Sequence, residues 1–133
     1  MTGEDLARAA EALVGARFRL HGRDPATGLD CLGVLTAAFA GCGRKLVLPT
    51  GYALRAPIPR DVDALAAAGG LVPAVGSVAS GDVMLLHAGP GQIHCAIATA
   101  AGHVHAHAGL RRVVVTPGVP AGTILRHWRL VEG

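Results

Sequence analysis

Cys31 stands directly after Asp30 at the head of an apolar run, Cys-Leu-Gly-Val-Leu-Thr-Ala-Ala-Phe-Ala, and is one of three cysteines in 133 residues. If that run is a helix, the thiol lies in its first turn, where unpaired backbone N–H groups and the positive end of the helix dipole favour thiolate over thiol. A thiolate that is to act as a nucleophile needs a base, and seven histidines are present, six of them after residue 80. Residues 93 to 99 alternate like a strand, so His94 points with Ala96 and Ala98 while Cys95 points the other way. His94 and Cys95 are therefore not a catalytic pair. The alanines on the face of His94 leave room for the Cys31 end of the helix to approach it. His105, on the following segment, could reach the far nitrogen of His94 and fix its tautomer, which completes a nucleophile, base and orienting group.

The same histidines admit a second chemistry. His103, His105 and His107 share one face of a strand, and with His94 beside them they could offer nitrogens to zinc. Residues 103 and 107 would lie some 13 Å apart at about 3.3 Å per residue, which a single ion could bridge only across a bend. Asp30 reads as the cap of the Cys31 helix, with its carboxylate turned back onto the helix amides; standing beside the thiol, it is also a candidate substrate contact. His21, His87 and His127 read as surface or partly satisfied histidines, and Gly81-Asp82 as a turn entering a core strand.

The elements that must position these groups follow from periodicity. Leu6, Ala9 or Ala10, Leu13 and Val14 recur at helical spacing after a Thr2/Asp5 cap, which predicts a helix over about 3 to 16. Residues 18 to 28 read as a loop, 31 to 40 as a second helix closed by Gly41-Cys42-Gly43, and 61 to 68 as a short third helix. Short β-branched or alternating runs then follow at 82–87, 93–99, 103–107, 113–116 and 123–130. Helices first and strands afterwards predict an α+β domain spanning 1 to 133, with the helices packed on one face of a roughly five-stranded antiparallel sheet. Trp128 would close the end of that sheet.

Composition limits the class of function. The chain is 51% hydrophobic with 19 glycines and only four aromatic residues, so its core is built from small side chains. Its formal net charge is +3, from 12 basic and 9 acidic residues that are scattered along the chain. With so few aromatics for stacking, this is not the pattern of a nucleic-acid module. Residues 64 to 80 are uncharged but broken by glycine and proline, so no membrane insertion is expected. The acidic start Met1-Thr2-Gly3-Glu4-Asp5 lacks the features of a secretory signal, which predicts synthesis in the cytoplasm. Three cysteines, an odd count without framework spacing, predict a reducing compartment of synthesis and at least one free thiol, and Cys31 and Cys42, about 16 Å apart along a helix, cannot bridge.

Several motifs in order carry a resemblance. Gly22-Arg23-Asp24-Pro25 through Gly28-Leu29-Asp30-Cys31-Leu32-Gly33-Val34, then Gly81-Asp82-Val83-Met84-Leu85-Leu86, then His94-Cys95-Ala96-Ile97 and Val104-His105-Ala106 resemble the successive motifs of NlpC-type cell-wall cysteine peptidases. The likeness extends over about residues 5 to 130. It implies a papain-like core, with Cys31 as nucleophile and backbone oxyanion donor, His94 as base and His105, or else His107, as the third residue. Tyr52, in Gly51-Tyr52-Ala53-Leu54-Arg55, resembles the substrate-side tyrosine of that family. Leu32 departs from the pattern, which has a small polar residue after the cysteine. The implied activity is hydrolysis of peptidoglycan stem peptides without a cofactor. Capture of the acyl group by another nucleophile, or a silent tail-hub component that keeps the fold, are the alternatives. The long loop before Cys31 further resembles compact members from phage tails and gene transfer agents. This implies baseplate or tail-hub partners and a route to the wall on a phage-like particle.

Overall fold

The computed structural model describes residues 1–48, 61–89 and 92–131. Helix α1 (Gly3–Glu11) begins at a capping box in which the Thr2 hydroxyl accepts from the Asp5 N–H and the Asp5 carboxylate accepts from the Thr2 N–H. It ends well before residue 16, because Gly15 takes a positive φ of 96° and its N–H turns to the Val113 carbonyl. The expected loop contains a small antiparallel ribbon, β1 (Arg23–Asp24) with β2 (Gly28–Leu29). Helix α2 (Cys31–Gly41) follows at once, with Asp30 as its N-cap, and α3 (Val62–Ala68) closes the helical half.

Six strands form the main sheet: β3 (Leu71–Pro73), β4 (Val83–Gly89), β5 (Gln92–Thr99), β6 (Gly102–His107), β7 (Arg112–Thr116) and β8 (Thr123–Leu130), in the spatial order β3-β8-β4-β5-β6-β7. The fold is α+β and antiparallel, as expected. It has one strand more than expected, because β3 pairs with β8 although it carries only three residues and no readable alternation. Strands β4 to β7 form a meander, and β8 returns to the far side of β4.

The two faces of the sheet do different work. Val83, Leu85, Cys95, Ile97, Val104, Ala106, Val113, Trp128 and Leu130 face α1 and α2 in one buried cluster with Leu6, Val34, Leu35 and Phe39. On the opposite face Met84, Leu86, Ala96 and Ala98 pack together beneath Val78. The helices thus lie on one face, and the alternation along β5 sends His94 to the other.

Between β5 and β6 the paired residues run only from Ile97↔Val104 to Thr99↔Gly102. Toward the start of β5 that ladder stops, and the head of α2 meets the sheet there. Close approach of the β1–β2 ribbon to α2 depends on Gly33, where any Cβ would run into the Gly22 carbonyl oxygen.

Candidate active site

Asp30 organises the head of α2. Its Oδ1 accepts from the Gly33 N–H at 2.8 Å and from Arg23 Nη1 at 2.9 Å, and its Oδ2 accepts from the His21 N–H at 2.8 Å. His21 adopts φ 62° to bring that N–H round, a left-handed conformation that non-glycine residues seldom take. Asp30 is 2% exposed, and these bonds hold the α2 start to the loop. His21, read from sequence as a surface or partly satisfied histidine, is exposed, and its backbone N–H is one of the donors.

The Cys31 sulfur is half-buried and lies where the backbone N–H groups of Cys95 and Leu32 favour its ionised form. Cys31 is thereby delivered to β5 at the residue next to His94. Its route differs from the sequence expectation. Ala96 and Ala98 do not make room for the helix, because they face away from it against Met84 and Leu86. The helix end instead uses the place where β5 and β6 no longer pair. The expected low thiol pKa is also not found. Burial, followed by the negative charge of Asp30, pushes the Cys31 thiol up to about 11, against the two backbone N–H groups and Arg23. The first-turn environment favours thiolate, but desolvation and Asp30 outweigh it.

On the other face, His94 Nε2 lies 2.9 Å from His105 Nδ1, with the rings edge-on at 5.0 Å between centroids. The second ring nitrogen of His105 lies 2.8 Å from the Thr116 hydroxyl. His103 stacks on His105 at 4.9 Å and is itself fixed by its Nδ1, 2.8 Å from the Gly118 carbonyl. Burial, then the positive charges that His103 and His107 can carry, pulls His94 down to about 4; His105 falls to about 4 by burial, then by the charges of His94, His103 and His107. Both imidazoles are neutral at pH 7, as a general base must be.

His107, the alternative third residue, has its ring 5.9 Å from that of His105, and its Nδ1 accepts from the Leu110 N–H. The geometry brings His105 and not His107 to His94. The rings of His94, His103 and His107 each contact that of His105, at 5.0, 4.9 and 5.9 Å between centroids. Among the described residues no group of three or more His, Cys, Asp or Glu side chains is arranged to hold a metal ion, so the zinc reading does not fit this donor set. Tyr52 lies outside the described residues.

Sequence reasoning missed two features. Thr116 is visible only once the β6–β7 register, His103↔Thr116, is known. The second is a buried knot around Asp82, which accepts from the Ala79 N–H, from His127 Nε2 at 2.6 Å and from Arg129 Nε at 2.9 Å and Nη2 at 2.8 Å. Alternation places His127 and Arg129 on one face of β8, and that signal was present in the sequence.

No family model and no curated protein matches the sequence, so likeness to known proteins rests on structure. The chain superimposes on the peptidoglycan hydrolase RipB of Mycobacterium tuberculosis with a TM-score of 0.63 and 25% identity, covering 98% of this chain and 65% of that one. The NlpC/p60 domain of the peptidoglycan hydrolase SagA matches with a TM-score of 0.59 and 20% identity, over 99% of this chain and 100% of that one. NlpC2 of Trichomonas vaginalis matches with a TM-score of 0.70 and 16% identity, over 98% of this chain and 47% of its own. The NlpC type expected from the motifs is the type these structures share, and the chain has the NlpC/p60 fold.

Proposed function

We propose that this chain is a cell-wall hydrolase, and more narrowly a cysteine peptidase that cleaves peptidoglycan stem peptides with Cys31 as nucleophile, His94 as general base and His105 as the residue that orients it. The observation that carries the reading is the His94–His105 pair at 2.9 Å, one residue from the point where the Cys31 sulfur meets β5. The substrate class is supported by the likeness to RipB and SagA, both peptidoglycan hydrolases.

With the thiol raised and the imidazole lowered, the resting pair is uncharged. The proton leaves Cys31 for His94 Nδ1 as sulfur bonds to the scissile carbonyl carbon, and no preformed ion pair is needed. The Cys31 N–H, at the first turn of α2, is placed to stabilise the oxyanion. The imidazolium then protonates the leaving amine, and the same ring activates the water that releases the acyl-enzyme. Tyr52, by its place after α2, is proposed to line the substrate side. The loop before Cys31 supports delivery on a phage-like tail, where tail-hub proteins would be partners. Co-sedimentation of the chain with particles tests that part.

The decisive experiment is mass spectrometry of muropeptides after incubation of sacculi with the protein. New amine and carboxyl termini within stem peptides are expected from the wild type, with cleavage falling to background in Cys31→Ala and His94→Ala. Equal cleavage by Cys31→Ala would overturn the assignment, and transferred rather than hydrolysed products would make the chain an acyltransferase.

A further inference from the structure

We propose that Thr116 is a positioning residue that fixes the tautomers of the His94–His105 pair by accepting a hydrogen bond from His105 Nε2–H. This rests on the reading of His94 as the base.

Along the chain Thr116–His105–His94, neutral rings allow two proton arrangements. In one, the Thr116 hydroxyl donates to His105 Nε2, His105 Nδ1–H donates to His94 Nε2, and His94 Nδ1 carries a proton and cannot act as a base. In the other, His94 Nε2–H donates to His105 Nδ1, His105 Nε2–H donates to Thr116 Oγ1, and His94 Nδ1 holds a lone pair. The reaction chooses between them. Once His94 takes the Cys31 proton, both of its nitrogens carry hydrogen, so His105 Nδ1 must accept and His105 Nε2 must donate. His105 is 9% exposed, so the Nε2–H needs a partner within the protein, and Thr116 Oγ1 at 2.8 Å is that acceptor.

The surroundings of Thr116 hold it to this task. It lies opposite His103 in the β6–β7 ladder and reaches diagonally to His105, while His103 is stacked on the same ring and tied to Gly118. Gly102 lets β7 come this close, since a Cβ there would meet the Thr116 carbonyl oxygen. Among the described residues, the titratable groups facing His105 are His94 on β5 and His103 and His107 on β6; on β7 the charged residue of that face is Arg112, opposite His107.

The test compares Thr116→Val, which keeps the shape without the oxygen, with Thr116→Ser, which keeps the oxygen. Imidazole 15N NMR of protein labelled at histidine, recorded at neutral pH in the Cys31→Ala background, reads the tautomers without turnover. Nε2–H on both His94 and His105 is expected with Thr116 in place and in Thr116→Ser, and a mixed or reversed state in Thr116→Val. In the active background Thr116→Val should lower kcat roughly five- to tenfold, the loss of one hydrogen bond. KM should be unchanged and the acid limb should move to lower pH, while Thr116→Ser restores kcat. Wild-type tautomers and kcat in Thr116→Val, or an equal loss in Thr116→Ser, would overturn the proposal. Expected tautomers together with full cleavage by Cys31→Ala would instead leave Thr116 in place and refute the function of Cys31.

Discussion

Burial holds Cys31 at about 11 and His94 and His105 at about 4, so across the neutral range the three groups carry no charge. Only neutral His94 can take a proton. Cleavage should therefore persist on acidification past the ordinary histidine range near 6.5 and fail near pH 4, which a kcat/KM profile on a soluble muropeptide would show. The sign for stability runs with it. Between the unfolded value and the lowered folded one the unfolded chain binds more protons, so stability drops as pH falls from about 6.5 to about 4. Asp30→Asn keeps a capping oxygen but removes the negative charge beside the thiol, so Cys31 should alkylate with its pH profile moved to lower values. An unmoved profile would show that Asp30 is not felt at the sulfur. At this scale the sequence carried the place of Cys31 at the head of α2 and the face of β5 that His94 takes, because a cap and an alternating strand are local patterns. It did not carry the balance of forces on the thiol, which depends on how deeply α2 is driven against β5.

The elements were legible where their pattern was long. Helix α2 and strands β5, β6 and β8 lie within a residue or two of where periodicity puts them, while β1, β2 and β3 are too short to show any. The end of α1 falls earlier than periodicity implies because the apolar positions continue past Glu11 as packing residues of a turn. What no local pattern encodes is where the β5–β6 ladder stops, short of Cys95, whose backbone N–H faces the Cys31 sulfur. The seat of α2 there depends on its close contact with the chain entering the β1–β2 ribbon. Gly33→Ala should force the loop outward and cost about 1 to 3 kcal/mol, seen as a lower Tm, with a larger fractional loss of activity. Unchanged Tm and activity would mean that the loop yields freely.

Across the whole molecule, one carboxylate ties the sheet to the loop before it. Asp82 is 1% exposed; burial raises its pKa, but hydrogen bonds from Arg129, the Ala79 N–H and His127 outweigh this and hold it below the ordinary value. Being depressed, it stabilises the fold above about pH 4 and loses that contribution as acid protonates it. Asp82→Ala should lower stability by about 2 to 4 kcal/mol in urea titrations. It should leave the acid limb of cleavage in place, because the bonds of the knot run to Ala79, His127 and Arg129 and not to the His94–His105 pair. The sequence showed Gly81-Asp82 as a turn and the shared face of His127 and Arg129, but not that the two meet across 45 residues.

Cys31 packs with the helical layer, while His94 stands on the far face of the sheet, on the part of β5 that is not paired with β6. The alignment that the proposed mechanism needs is thus a property of how the two layers sit on each other, not of any single loop. A slip of under an ångström along that interface would separate sulfur from imidazole while leaving every helix and strand intact. Heat should accordingly abolish the proposed cleavage several degrees before circular dichroism reports any melting, and cooling should bring it back.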